Sequence, residues 1–217
     1  ATAFSDKSHF EDNIQECILQ LEQQLGGAPD ILFYYSSPYF FDYAHEISAT
    51  LSKVFPVAKL AGCGAAAKMA GLEELSDNTC ISIMAGILPG VDIDVVHLDI
   101  SKEPGADVSP QQWYEFTGVD RIKNQSFIVL ADPYSANIED VLKGLDYAYE
   151  ATIVGGFSSG VQFKGGSTLF CNDDVYNNGM ILVSLSGNID VIPLVAQGCR
   201  PIGKSLTVTN CSEVVLE

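Results

Sequence analysis

The chain has 217 residues, of which 47% are hydrophobic and 18% are charged, a balance typical of a folded globular protein rather than a disordered one. Its 28 acidic residues against 11 lysines and arginines give a net charge of -17, and this negative field repels the phosphates of nucleic acid and of anionic lipid. No apolar run approaches the roughly 20 residues that span a bilayer, so no transmembrane segment is predicted.

The sequence opens with a predicted helix and a predicted strand. Apolar residues recur at helical spacing over 10–25, and the pattern Ser8-x-x-Glu11 at the start of this run is typical of a capping box. The apolar run 30–35 then turns polar at Ser36, as a buried strand followed by a loop does. One face of the helix is therefore expected to pack on the core.

A second helix is predicted over 41–54. The next elements are a strand over 57–61, a turn at Gly62-Cys63-Gly64, and a hairpin of two strands, 80–88 and 91–100, joined at Pro89-Gly90. A polar connector over 101–123 follows, in which Ser109-Pro110 opens a short helix that docks Trp113 on the core.

The second half repeats the order of the first. A strand over 127–131 is followed by a helix behind the capping residue Asn137. The matching segments are Asp132-Pro133-Tyr134 with Ser37-Pro38-Tyr39, 153–156 with 60–63, and a hairpin of 180–186 and 189–196 with the hairpin of 80–88 and 91–100. The offset between matching residues stays at about 93 to 98, which predicts a duplication with pseudo-repeats 28–100 and 125–197 inside one domain.

An α/β fold follows from two repeats of strand, helix and antiparallel strands. The repeats are expected to pack face to face as an αββα-type sandwich, with one continuous mixed sheet flanked by helices as the alternative. In either arrangement the equivalent loops of the two halves face one another, and their meeting point is the expected place for a shared pocket.

One segment matches the sequence signature of a catalytic serine nucleophile: Gly156-Phe157-Ser158-Ser159-Gly160 fits G-x-S-x-G. The glycine-rich stretch after it has no helical periodicity, and no histidine lies downstream to act as the base. The three histidines, His9, His45 and His97, have neither the spacing nor the cysteine neighbours of a zinc site. The sequence therefore predicts neither an enzyme nor a metal site.

The six cysteines contain no C-x-x-C pair, which favours a reducing compartment. An intracellular protein is expected, either cytoplasmic or, if a targeting peptide was removed before Ala1, in an organelle interior such as the chloroplast.

The segment Gln197-Gly198-Cys199-Arg200-Pro201-Ile202-Gly203 combines an amide, a thiol and a guanidinium in one turn. An arginine here clamps a carboxylate, either of the protein, such as Asp132, or of a ligand. Cys199 beside Arg200 is either a thiol of lowered pKa or inert packing. The glycine clusters at Gly62-Cys63 and Gly155-Gly156 are either structural turns or amide donors to an anion.

This segment resembles the most recognisable motif of the FIST family. Further matches occur in the family's order at Leu60-Ala-Gly-Cys-Gly64, Leu88-Pro-Gly-Val91, Ala131-Asp-Pro133, Val154-Gly-Gly156 and Leu169-Phe170. The resemblance runs over about residues 1–209, so the sequence is expected to be a single FIST N-type domain over 1–217, without the C-terminal FIST region into which family members usually continue.

The resemblance implies a non-catalytic sensory domain for signal transduction that binds a small ligand, with amino-acid-like molecules as candidates. The expected ligand-binding residues are Gln197, Gly198, Cys199, Arg200, Asp132, Gly155, Gly156, Gly62 and Cys63. Two alternatives stay open: an interaction module or accessory subunit that docks on a protein partner in a larger, organellar assembly, and a haem-linked gas sensor in which one histidine binds the iron. Otherwise no cofactor is expected.

Overall fold

The chain folds into two β-sheets packed face to face with helices on the outer faces. This arrangement confirms the predicted αββα-type sandwich. The computed structural model describes residues 1–217 except 71, 72, 77, 78, 106, 162, 196, 197, 199–201, 204–206, 208, 210, 213, 214 and 217. The sheets have six and four strands and share no strand, so the alternative of one continuous sheet is wrong.

The six-stranded sheet has the order β1-β6-β2-β3-β10-β11. Its strands are β1 (Thr2–Ser5), β2 (Ile31–Ser36), β3 (Lys59–Gly64), β6 (Ile81–Gly86), β10 (Leu169–Cys171) and β11 (Asp174–Tyr176). Only β2 and β3 run parallel, and the other neighbours are antiparallel.

The four-stranded sheet has the order β7-β12-β8-β9. Its strands are β7 (Val91–Leu98), β8 (Ser126–Ala131), β9 (Thr152–Phe157) and β12 (Met180–Gly187). Two small hairpins complete the strands: β4 (Ala67–Ala70) with β5 (Glu73–Ser76), and β13 (Cys211–Ser212) with β14 (Val215–Leu216).

Helices cover the outer face of each sheet. The helices are α1 (Phe10–Gln24), α2 (Ala44–Val54), α3 (Pro110–Thr117) and α4 (Ile138–Tyr149), with short 3-10 segments at Pro38–Tyr43 and Ile100–Lys102. Apolar residues of α1 and α2, including Leu21 and Leu51, pack on the six-stranded sheet. Those of α3 and α4, including Trp113 and Leu145, pack on the four-stranded sheet, which confirms the predicted docking of Trp113.

A third apolar cluster lies between the sheets. Phe33 and Cys63 contribute to it from the six-stranded sheet, and Leu130 and Val183 from the four-stranded sheet. Burial of this surface holds the two sheets together, because apolar area removed from water stabilises by about 25 cal/mol per Å².

Three strands of each sheet have the same order and the same directions. In β6-β2-β3 the middle strand is antiparallel to the first and parallel to the third, and β12-β8-β9 has the same arrangement. The duplication of 28–100 and 125–197 stays a prediction, and this shared order supports it.

Both predicted hairpins are wrong. β6 pairs with β1 and β2, while β7 crosses at the turn 87–90 to the other sheet and pairs with β12. No strand is assigned over 189–195, which the structure describes in full. The hairpin pattern shows only that two short apolar runs flank a turn, and which strand each run pairs with depends on open edges elsewhere.

Two local predictions also need correction. Gly62, Cys63 and Gly64 lie inside β3 rather than in a turn, because all three pair with β2, and Gly62 and Cys63 also pair with β10. The capping box at Ser8 is absent, since α1 starts after His9 without a side-chain cap and the Asn13 amide holds the start of the helix through the Lys7 and His9 carbonyls.

Candidate functional site

The loops after β3 and β9 meet where the two sheets come together. The backbone N–H of Ser159 donates to the carbonyl oxygen of Gly64 at 3.0 Å. The Ser159 hydroxyl accepts a hydrogen bond from the N–H of Ala66, also at 3.0 Å. Because β3 and β9 hold matching positions in the two sheets, the two halves of the chain touch at equivalent loops.

A cleft of about 390 Å³ opens at this junction, lined by Ser37, Pro38, Tyr39, Ala66 and Gly160. Ser37 follows β2, Pro38 and Tyr39 begin the 3-10 segment Pro38–Tyr43, Ala66 follows β3, and Gly160 follows β9. Gly160 is required here, since its φ is +93° and a Cβ would overlap the Pro38 ring. Tyr39 is 68% exposed and forms a wall of the cleft. A volume of this size accommodates a small molecule.

A buried polar network lies at the end of β8 and in the loop after β9. The Ser167 hydroxyl donates to a carboxylate oxygen of Asp132 at 2.6 Å, and the Ser158 hydroxyl donates to Ser167 at 2.9 Å. The other carboxylate oxygen accepts from the Ser135 hydroxyl at 2.7 Å. Asp132 is 1% exposed, so these donors replace the water that its carboxylate loses on burial.

This network has the wrong partners for nucleophilic catalysis. Ser158 is buried, and its hydroxyl donates to another serine rather than to a base. No helix follows β9 in the part of 158–168 that the structure describes, so the strand-to-helix turn of a nucleophile elbow is absent there.

Glycines of the two predicted clusters occupy matching places in the sheets. Gly62 lies beside Tyr34 in the β2–β3 ladder, and Gly155 lies beside Val129 in the β8–β9 ladder. A Cβ at either glycine would overlap the carbonyl oxygen of its neighbour. Both glycines are therefore needed for strand pairing, and their role in ligand binding stays a prediction. Gly156 is exposed, with no heavy atom near the position of a Cβ.

The Cys63 thiol points into the cluster between the sheets and is 3% exposed. Burial raises the pKa of this thiol to about 12, because the thiolate is poorly solvated in apolar surroundings. At neutral pH the group is therefore a protonated packing side chain, and its role as a ligand contact stays a prediction.

Gln197, Cys199 and Arg200 lie outside the described residues, and Gly198 is exposed. The predicted pairing of Arg200 with Asp132 or with a ligand is therefore untested. None of the predicted ligand-binding residues that the structure describes lines the cleft, whose walls are Ser37, Pro38, Tyr39, Ala66 and Gly160. The sequence had no signal for Ser159 or Ser167, since their hydrogen-bond partners are 93 and 35 residues away in the chain.

The described residues show neither a cluster of metal ligands nor a membrane-spanning helix. They contain no group of three or more His, Cys, Asp or Glu side chains arranged to hold a metal ion. The ring of His97 stacks on Tyr176 at 3.7 Å, and its Nε2 lies 2.8 Å from the Asn178 carbonyl oxygen. Of the helices described, none is long and apolar enough to cross a membrane.

Comparison with known proteins identifies one family. The FIST N domain model matches residues 30–217. Two uncharacterized proteins of Mycobacterium tuberculosis, from strains H37Rv and CDC 1551, are each 30% identical over 197 residues, which is 90% of this chain and 49% of theirs. An uncharacterized protein of Mycobacterium bovis is 30% identical over 198 residues.

The chain spans about half the length of these curated relatives. All three are bacterial, so they lend no support to an organelle interior as the compartment.

Proposed function

Because this chain belongs to the FIST family, whose domains are generally sensory and non-catalytic, we propose that it is a small-ligand-binding sensory domain whose ligand occupies the cleft at Ser37, Tyr39 and Gly160. The observation that carries the proposal is that the cleft has walls from both halves of the chain. A ligand held there contacts both sheets at once, so its binding is coupled to how the sheets are joined.

The chemistry of the cleft suits a small polar molecule with an apolar part. Tyr39 brings an exposed ring with a hydroxyl group, and the loop at Gly160 allows close approach to the backbone. We assign the ligand to the amino-acid-like class, with Arg200 as the clamp for its carboxylate. This last assignment rests on the sequence motif and on the scarcity of basic residues, 11 in the chain.

The experiment is a thermal-shift screen with the free amino acids and their 2-oxo acid and 2-hydroxy acid analogues. A ligand at tenfold its Kd stabilises the folded state by about 1.4 kcal/mol, which raises the Tm of a chain of this size by about 3 to 6 °C. We expect one group of related ligands to give such a shift, and Tyr39→Ala and Arg200→Ala to remove it.

Matched variants separate binding from stability. Tyr147 on α4 is 57% exposed, so Tyr147→Ala removes an exposed tyrosine away from the cleft and leaves the shift intact. Arg121 pairs with Glu150 at the surface, so Arg121→Ala costs at most about 1 kcal/mol and keeps the shift. A screen without any shift overturns the sensory proposal, and a shift that survives Arg200→Ala overturns the clamp.

A further inference from the structure

The segment 189–195 presents a row of apolar side chains to solvent. Ile192 is 80% exposed, Leu194 is 91% exposed and Val195 is 80% exposed. Single exposed apolar residues are common, but three within four positions mark a surface that another structure covers. Ile189 and Val191 differ from them, because both pack against the cluster between the sheets.

β7 is the equivalent of the segment 189–195 in the first half of the chain. The sequence Val91-Asp92-Ile93 corresponds to Ile189-Asp190-Val191 at an offset of 98 residues, and each segment directly follows the turn after its preceding strand. Val91 and Ile93 also pack against the cluster between the sheets. β7 then continues into the other sheet and pairs with β12 along its full length, whereas 189–195 continues into solvent.

Among the described strands, β12 and its equivalent β6 have no open edge at which the segment 189–195 could pair as β7 does. β12 is flanked by β7 and β8, and the matching strand β6 is flanked by β1 and β2. The position that β7 fills beside β12 is thus filled beside β6 by β1. A second copy of the chain has the same neighbours, so its β6 and β12 are closed as well.

Pro193 corresponds to Val95, and the geometry of β7 explains why a proline fits there. The N–H of Asn188 donates to the Gly90 carbonyl at 2.8 Å, one step beyond the Gly187–Val91 pair. Because bonded and non-bonded pairs alternate in an antiparallel ladder, Val95 is in a non-bonded pair.

The partners of the Val95 carbonyl agree with this alternation. It accepts hydrogen bonds from Cys171 Sγ at 3.6 Å and Asn172 Nδ2 at 3.3 Å. A residue's N–H and C=O point to the same side of a strand, so the Val95 N–H also points away from β12. A proline at the equivalent position loses no ladder bond, as is usual for an edge strand.

We propose that residues 189–195 form an edge strand that adds, antiparallel, to an open strand equivalent to β12 in a further sheet built like the four-stranded sheet of this chain. The curated relatives have room for such a sheet, because the match covers 49% of their length. The surface is distinct from the ligand cleft, so this proposal does not depend on the sensory function.

The experiment mixes the 217-residue chain with the separately produced part of the Mycobacterium tuberculosis H37Rv relative that the match does not cover, followed by gel filtration with light scattering and hydrogen–deuterium exchange. We expect a 1:1 complex. In it, amide exchange of Asp190, Ile192 and Leu194, whose N–H groups face the acceptor strand, slows by at least about tenfold relative to the chain alone, since ladder bonds protect amides.

Three variants test the geometry. Leu194→Asp places a charge at the position equivalent to Val96, which packs against the apolar cluster under α3 and α4, and abolishes the complex. Leu194→Pro removes an N–H that faces the acceptor strand and also abolishes it, whereas Val195→Pro removes an N–H that faces away and retains it. Ile122→Asp changes an apolar residue that is 45% exposed elsewhere and serves as the control, and urea unfolding of each free variant checks its fold.

Three results overturn the proposal. They are the absence of a complex, equal effects of Leu194→Pro and Val195→Pro, and self-association of the chain alone that Leu194→Asp abolishes, which would make a second copy the occupant.

Discussion

The hydroxyl oxygen of Ser159 lies 3.0 Å from the backbone nitrogen of Ala66 and accepts its hydrogen bond. This contact joins a loop of the four-stranded sheet to a loop of the six-stranded sheet, 93 residues apart in sequence. Since Ala66 and the adjacent Gly160 both line the cleft, the contact fixes the relative position of two of its walls.

Ser159→Ala is expected to loosen this junction without unfolding the protein. Ser159 is exposed, so loss of the hydrogen bond costs about 1 kcal/mol or less. Amide exchange in a peptide that covers Ala66 should become faster by up to about fivefold, the factor that corresponds to about 1 kcal/mol. Ser52→Ala, near the C-terminal end of α2, is the control and should leave that exchange unchanged. Equal exchange in both variants would show that Ser159 does not hold the junction.

Adjacent glycines in β9 are expected to respond in opposite ways to alanine. Gly155→Ala brings a Cβ onto the Val129 carbonyl oxygen, and we expect a loss of about 2 kcal/mol or more in the free energy of unfolding. Gly156→Ala meets no atom within 4 Å and should change stability by about 0.5 kcal/mol or less. Urea unfolding compares the two, and similar midpoints would contradict the tight β8–β9 approach.

Gly144 is expected to be needed for the packing of α3 on α4. A Cβ at Gly144 would overlap the ring of Trp113, which is 1% exposed. Gly144→Ala should therefore destabilise by about 1 to 3 kcal/mol, although alanine is the better helix former by about 1 kcal/mol. Gly26→Ala, where no atom lies within 4 Å, is the control in thermal unfolding. A gain in Tm for Gly144→Ala would show that the indole moves aside.

Two serines at helix starts should differ in their contribution to stability. Ser109 forms a capping box with Gln112, whose side-chain oxygen accepts from the Ser109 N–H at 3.2 Å. Ser109→Ala is expected to cost about 1 kcal/mol. Ser8→Ala should be neutral, because α1 begins after His9 without a side-chain cap. A cost at Ser8 comparable to that at Ser109 in urea unfolding would restore the capping box predicted there.

The buried cysteines are expected to be unreactive in the native protein. Burial raises the pKa of the Cys17 and Cys63 thiols to about 12, above the ordinary value of 9. Cys80 and Cys171 are buried as well. Alkylation by iodoacetamide at pH 8, mapped by mass spectrometry, should modify these four only in denaturant. Labelling of Cys63 in the folded protein at the rate of a free thiol would contradict its position between the sheets.

The same pKa shifts give a pH dependence of stability with a definite sign. Above about pH 9 the unfolded chain releases thiol protons that the native protein retains up to about pH 12. The native state then binds more protons, so the free energy of unfolding falls as the pH rises through this window. Urea midpoints at pH 8 and pH 10 measure the effect, and a midpoint that rises with pH would contradict it.

The sequence alone determined the elements that depend on local periodicity. The helices α1, α2 and α4 and the strands β2 and β8 lie close to where the apolar spacing predicted them, because each buries one face or a short run of its own residues. The sandwich also followed from the sequence, since two similar halves with apolar sheet faces must cover them. The sequence predicted a pocket where equivalent loops of the two halves meet, but, among the described residues, none of those predicted to bind the ligand lines the cleft.

Only the tertiary structure decided which strands pair and which polar groups meet. The sequence of the turn 87–90 is compatible both with β7 pairing with β6 and with β7 crossing to pair with β12. Because β1 occupies the edge of β6, β7 pairs with β12. The contact of Ser167 with Asp132 likewise depends on chain segments brought together by the fold. Pairing partners are selected by open edges and by burial across the whole molecule, and no local pattern of residues encodes them.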